Sequence, residues 1–87
     1  MHEMSLMADL MRKLQAIATE HGSRLARVKV VVGALCHCSA EHFREHFAQC
    51  AVGTPAEGAE LDVVVETDFH DPHAQDVILD SVEVVET

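Results

Sequence analysis

Tryptophan and tyrosine are missing from this 87-residue sequence, and phenylalanine occurs only three times. The core must therefore come from Val, Leu, Ala, Met and those few Phe side chains. Six basic residues stand against fifteen acidic ones, giving a net charge of −9. That shortage of Lys and Arg argues against a nucleic-acid binder, because phosphates require a basic patch. It suits a basic protein surface or a cation as partner. No stretch approaches the roughly eighteen apolar residues of a membrane span, so no membrane association is expected. The start is neither basic nor followed by an apolar run, so no signal peptide is expected. The three cysteines are an odd number and include no Cys-x-x-Cys. They form neither a disulfide framework nor the usual paired zinc spacing, and a reducing, cytoplasmic setting is expected.

Catalytic signatures are equally scarce. There is no Gly-rich phosphate loop, no nucleophile motif and no paired-carboxylate pattern. The sequence reads as a non-enzyme.

What is present is a small globular domain, 48% hydrophobic and 24% charged, long enough to fold alone with a modest core. Ser5 is a plausible N-cap for a helix running to about His21, with Gly22 as its stop. Leu6, Leu10, Leu14, Ile17 and His21 recur at helical spacing, and Met7, Met11 and Ala18 widen the stripe. Methionines at that spacing read as core filler rather than metal ligands. Residues 27–32 are a β-branched run with the character of a central strand, ended by Gly33. Ser39 offers an N-cap for a second helix over residues 40–51, which buries Phe43, Phe47 and either Cys50 or Ala51. Residues 53–58 form a loop, and residues 60–66 and 77–85 read as strands. The link between them, residues 68–76, is short enough for the last two strands to pair as an antiparallel hairpin. The expected architecture is α+β, ordered α-β-α-β-β, with a three-stranded mixed sheet and two helices on one face.

Three clusters carry possible metal chemistry. The first is Met1-His2-Glu3. A bulky second residue should keep Met1 in place, leaving its amine free. That amine, the His2 amide nitrogen and the His2 imidazole can close two adjacent chelate rings on one metal. The Glu3 amide or carboxylate can supply a fourth ligand. A near-planar nitrogen array suits Ni(II) or Cu(II), and displacement of amide protons makes binding pH-dependent. An ordinary frayed terminus is the simpler alternative.

The second cluster is Cys36-His37-Cys38 with His42 and His46 on the following helix. The two histidines are one turn apart and can chelate from one face, and Cys36, Cys38 and His42 could meet at the helix start. Small thiols in a loop beside a solvated His-rich face explain the same residues. The third is His70-Asp71-Pro72-His73 with Asp76 nearby, which is also ordinary turn chemistry.

The opening MHEMSLM, the strand running into VVVGAL, the segment VGTPAEGAELDVVVE and the closing VILDSVEVVE together resemble the HypA/HybF family of hydrogenase nickel-incorporation proteins. The resemblance covers residues 1–67 and 77–86. It implies transient Ni(II) binding through Met1, His2 and Glu3, and action as a nickel metallochaperone in [NiFe] hydrogenase maturation. It also implies a maturation GTPase and the hydrogenase large subunit as partners, and a homo-oligomer is compatible with it. The family's loop often places an acidic residue near the nickel, where this sequence has Ser39; Cys36, His37 or Cys38 are candidate replacements. The family also inserts a zinc domain with two Cys-x-x-Cys pairs where this chain has only residues 68–76, so no zinc site of that type is expected. Two other functions stay open: a metal-independent adaptor docking on a GTPase or enzyme subunit, and a metal sensor or buffer built on Cys36–His46.

Overall fold

A computed structural model describes residues 3–36 and 39–85, with side chains described from Leu6 onward. The elements are α1 (Glu3–His21), β1 (Leu25–Val32), a short 3-10 turn (Ala34–Cys36), α2 (Ala40–Ala51), β2 (Glu60–Val65) and β3 (Val77–Val84). The expected α+β class, the mixed sheet and the two helices on one face are all present.

Strand order departs from expectation. The sheet runs β2-β1-β3, with β1 parallel to β2 and antiparallel to β3. The last two strands do run in opposite senses, but they do not form a hairpin, because β1 lies between them. The reason is chemical. Val28, Val30 and Val32 are fully buried, and an apolar strand of this kind loses least when both edges are bonded. In β2 and β3 apolar residues alternate with Glu60, Asp62, Asp80 and Glu83, a pattern that tolerates solvent and discourages further pairing at an edge. On the open face Arg27 lies 3.1 Å from Glu60 and 3.7 Å from Glu83, and Lys29 lies 3.9 Å from Asp80. Such exposed pairs contribute at most about 1 kcal/mol each, so they favour register rather than hold the sheet.

Burial does the holding. Met7, Leu10, Met11, Leu14 and Ala18 of α1 meet Leu25, Val28, Val30 and Val32 of β1 and Phe43, Phe47 and Ala51 of α2 in one cluster. Each fully buried aliphatic or Phe side chain contributes roughly 1.5–3 kcal/mol, several times a surface ion pair. Among the described residues no polar or charged side chain is buried. The choice left open at the end of α2 falls to Ala51, which is 2% exposed, while Cys50 is only partly buried.

Helix α1 begins at Glu3, so Ser5 lies inside it rather than at its cap. An acidic residue suits the positive end of the helix dipole, and Met and Leu carry the helix through the serine. The far end closes where expected. Gly22 takes φ +62°, its amide bonds to Thr19 O at 3.2 Å, and the Ser23 amide bonds to Ala18 O at 3.1 Å. This is a Schellman closure. His21, expected on the apolar stripe, is exposed because the last turn lies beyond Ala18, where the packed stripe ends.

The GTPAEG segment lies between α2 and β2 and closes the same end of the domain as this turn. Thr54 Oγ1 donates to Ala51 O at 2.7 Å, the Leu25 amide donates to Pro55 O at 3.0 Å, and Ala56 is buried. The most recognisable stretch of the sequence is therefore structural.

At the other end, the link between β2 and β3 crosses the end of β1. The Gly33 amide bonds to Asp76 O at 2.9 Å and the Leu35 amide to Ala74 O at 2.7 Å. A side chain at Gly33 has no room, since a Cβ there would lie 2.2 Å from Ala74 O. We therefore expect Gly33→Ala to destabilise the fold by about 1–3 kcal/mol, the usual cost of overpacking, even though Ala is otherwise the better-ordered residue. Urea denaturation would check this, and a variant as stable as the parent would show that the link does not press on Gly33.

Candidate metal centre

The turn at Gly22 sends β1 back along α1, so the start of α1 returns to the end of β1. The 3-10 turn and Ser39 then start α2 at that same end, and α2 runs back toward the start of β2. Both helices therefore begin where β1 finishes, as β1–α2–β2 with parallel strands requires. Glu3 is the first helical residue. Met1 and His2, the leading candidate ligands, lie outside the described residues, as does the Glu3 side chain. His37 and Cys38 also lie outside them. Ser39 is the N-cap of α2, its hydroxyl accepting from the His42 amide at 3.1 Å.

Cys36 closes the 3-10 turn, and its thiol is directed at the crossing link. Its Sγ lies 3.5 Å from Asp76 O and 3.9 Å from Ala74 O, acceptors for the S–H. Burial pushes the thiol pKa above its ordinary value, a backbone hydrogen bond from Gly33 opposes that shift, and the Asp76 charge adds to it. The thiol form is what this position favours, so Cys36 behaves as a latch and not as a ready thiolate ligand.

His42 and His46 are brought together on α2, with ring centroids 4.4 Å apart and planes at 50°. His70 and His73 lie on the link. The Asp68 carboxylate accepts from the His70 amide at 2.9 Å and the Asp71 carboxylate from the His73 amide at 2.7 Å, two successive Asx turns. His73 Nδ1 lies 3.0 Å from Asp76 Oδ2. Among the described residues, no group of three or more His, Cys, Asp or Glu side chains is arranged to hold a metal ion. What the structure shows of residues 68–76 is turn chemistry plus a latch onto β1.

Sequence reasoning missed that latch. Gly33 was legible only as a strand stop, and the sequence marks Phe69 and Ala74 alike as apolar residues in a polar link, although only Ala74 turns inward while Phe69 is exposed.

The family model described as "Hydrogenase/urease nickel incorporation, metallochaperone, hypA" matches residues 1–69. The chain belongs to this family. Hydrogenase maturation factor HypA of Chlorobium limicola is 42% identical over 64 residues, 72% of this chain and 55% of that protein. The protein of the same name from Desulfitobacterium hafniense is 38% identical over 64 residues, 72% of this chain and 56% of its own. That of Beijerinckia indica subsp. indica is 36% identical over 67 residues, 76% of this chain and 59% of its own. The chain thus spans a little over half the length of these curated relatives. The family match ends at residue 69, inside the link, so β3 lies beyond it. No helix among the described residues is long and apolar enough to cross a membrane.

The latch geometry makes Cys36 slow to react. Iodoacetamide should modify it severalfold more slowly in the folded protein than in urea at the same pH, read by peptide mass mapping. The sign for stability follows from the raised pKa. The folded state keeps a proton that the unfolded chain releases, so this contribution is complete below the ordinary thiol value of 9.0. It is lost as pH rises through the folded value. Folded and unfolded protein modified at equal rates would show that the thiol is not held.

Proposed function

We propose that this chain is a nickel carrier that binds Ni(II) at its N-terminus, with nickel as cargo rather than resident cofactor. Met1 supplies its amine, His2 its amide and imidazole, and Glu3 its amide or carboxylate. The observation that supports the reading most is the family match beginning at residue 1, which includes all three residues.

Helix physics supports it independently. The first amides of an α-helix have no intrahelical acceptor, so the Glu3 amide, at the first helical position, is not committed to the hydrogen-bond ladder. Metal displacement of a proton from such an amide breaks no helix bond. A site at the chain start is also easily stripped, which suits delivery better than storage. Protons compete for the amine, the imidazole and the amides, so affinity falls on acidification.

By the same reading the protein works in hydrogenase maturation, handing nickel toward the enzyme's large subunit in concert with a maturation GTPase. It acts by binding and transfer, not by catalysis. The short link in place of a zinc domain favours a second reading, an adaptor that docks on the same partners without metal.

The test is Ni(II) titration of tag-free protein beside His2→Ala and a version extended by two residues before Met1. One equivalent bound with the visible absorbance of planar nickel, lost in both altered proteins, is the expected result. Equal binding by all three would refute the N-terminal site. No binding by any, with GTPase docking intact, would favour the adaptor.

A further inference from the structure

We propose that His42 and His46 form a second, bidentate site for a late first-row divalent cation on the opening turns of α2. The choice of nickel as its cargo rests on the function proposed above; the chelate itself rests on geometry. Ser39 sets the start of the helix through its bond to the His42 amide at 3.1 Å. From there the phase is locked by burial. Phe43 is 1% exposed and Phe47 is 4% exposed, and each follows one of the histidines directly. Both imidazoles are thereby held on one flank of α2, one turn apart, with ring centroids 4.4 Å apart.

That spacing fits a chelate. Two imidazole nitrogens on one metal at 2.0–2.1 Å each stand about 3 Å apart, within reach of these rings by small side-chain rotations. The flank is electrostatically permissive. Glu41 and Glu45 are exposed on the same two turns, and Arg44 is turned to β2, where its Nη1 donates to Leu61 O. Among the described residues no third His, Cys, Asp or Glu completes the set. A pair of imidazoles makes a weaker, faster-exchanging chelate than a four-ligand set. Imidazoles suit Ni(II), Cu(II) and Zn(II) rather than Mg(II) or Ca(II).

Placement gives the pair its role. Both helices start at the end of the domain where β1 finishes, so the pair lies at the same end as the start of α1. A weaker two-imidazole site at the same end of the domain as the proposed terminal chelate can take up the ion while the terminal ligands exchange, in loading or in handover.

The experiment uses the full chain and Ni(II) as the probe. Calorimetry would compare wild type, His2→Ala, H42A, H46A and H42A/H46A, with imidazole resonances followed by NMR. Wild type should bind a tight and a weak equivalent. In His2→Ala only the weak one should remain, and adding Ni(II) should perturb the His42 and His46 signals together. Either single substitution should weaken the second equivalent roughly a hundredfold, the loss of effective concentration when a chelate becomes one ligand. Should an alanine variant fold poorly by circular dichroism, the wild-type and His2→Ala resonances carry the test. Unmoved His42 and His46 signals, or a weak equivalent that survives H42A/H46A, would overturn the proposal. Failure of the terminal site reads differently: His2→Ala would match wild type throughout, while the two imidazole signals would still report on the pair.

Discussion

The sheet depends on β1 being bonded on both edges while it feeds the core from one face. Leu25, Val28, Val30 and Val32 point to the helices, and the backbone of the same strand pairs with β2 on one side and β3 on the other. Moving β1 to an edge would leave a Val-rich strand with one unpaired ladder and place the acidic alternation of β2 or β3 in the centre. Charge on the open face is tolerated even at the centre, where the Arg27 and Lys29 side chains of β1 reach solvent, so what an edge position would cost is the unpaired ladder of an apolar strand. The order β2-β1-β3 therefore gives the Val-rich strand both ladders and leaves the acidic, alternating strands at the edges, where their charges discourage further pairing. Helix direction follows from it, because a parallel β1–β2 pair needs α2 as its crossover.

One consequence concerns the place where β2 leads to β3. The link has to pass over the end of β1, about two strand spacings, or roughly 10 Å. It passes close, with backbone carbonyls of Ala74 and Asp76 taking the Gly33 and Leu35 amides and lying near the Cys36 thiol. Glycine at 33 is what allows that approach. The link thus acts as a clasp on the segment between β1 and α2, at the end of the domain where both helices start. A chain with a larger insertion between these strands could satisfy the same amides only if the insertion returned two carbonyls to the same place. The short link does so with turns organised by Asp68 and Asp71.

Much of this was legible in the sequence, and the misses share a cause. Periodicity found both helices and all three strands because burial imposes it locally: Phe43 and Phe47 mark the face of α2, and Ser39 marks its start. The last two strands were expected to pair because they are neighbours in the chain. Their true separation is a long-range fact, set by which strand can afford both edges bonded, and it appears only when the compositions of all three are compared. Ser5 misled for a similar reason, since a capping residue is a signal only where the helix would otherwise stop. The candidate metal ligands rest on chemistry that the sequence displays, the order of amine, imidazole and carboxylate at the start and the one-turn spacing of His42 and His46. The role of Cys36 was not legible, because a thiol's environment depends on residues 38 and 40 positions away.

A carrier of the kind proposed has to reconcile affinity with release. Ligands fixed on rigid elements bind tightly and exchange slowly, since every dissociation must overcome a preorganised set. Ligands at a chain start give up conformational freedom on binding, which lowers affinity, and they let an incoming ligand attack from an open side. The cargo site proposed at the start of α1, at an end of the domain clasped by the β2–β3 link, would separate the two demands. The scaffold would then hold the neighbourhood in shape while the proposed ligands exchange. The acidic surface then works in the same direction at longer range, drawing a cation or a basic partner toward the domain within the reach of about one Debye length.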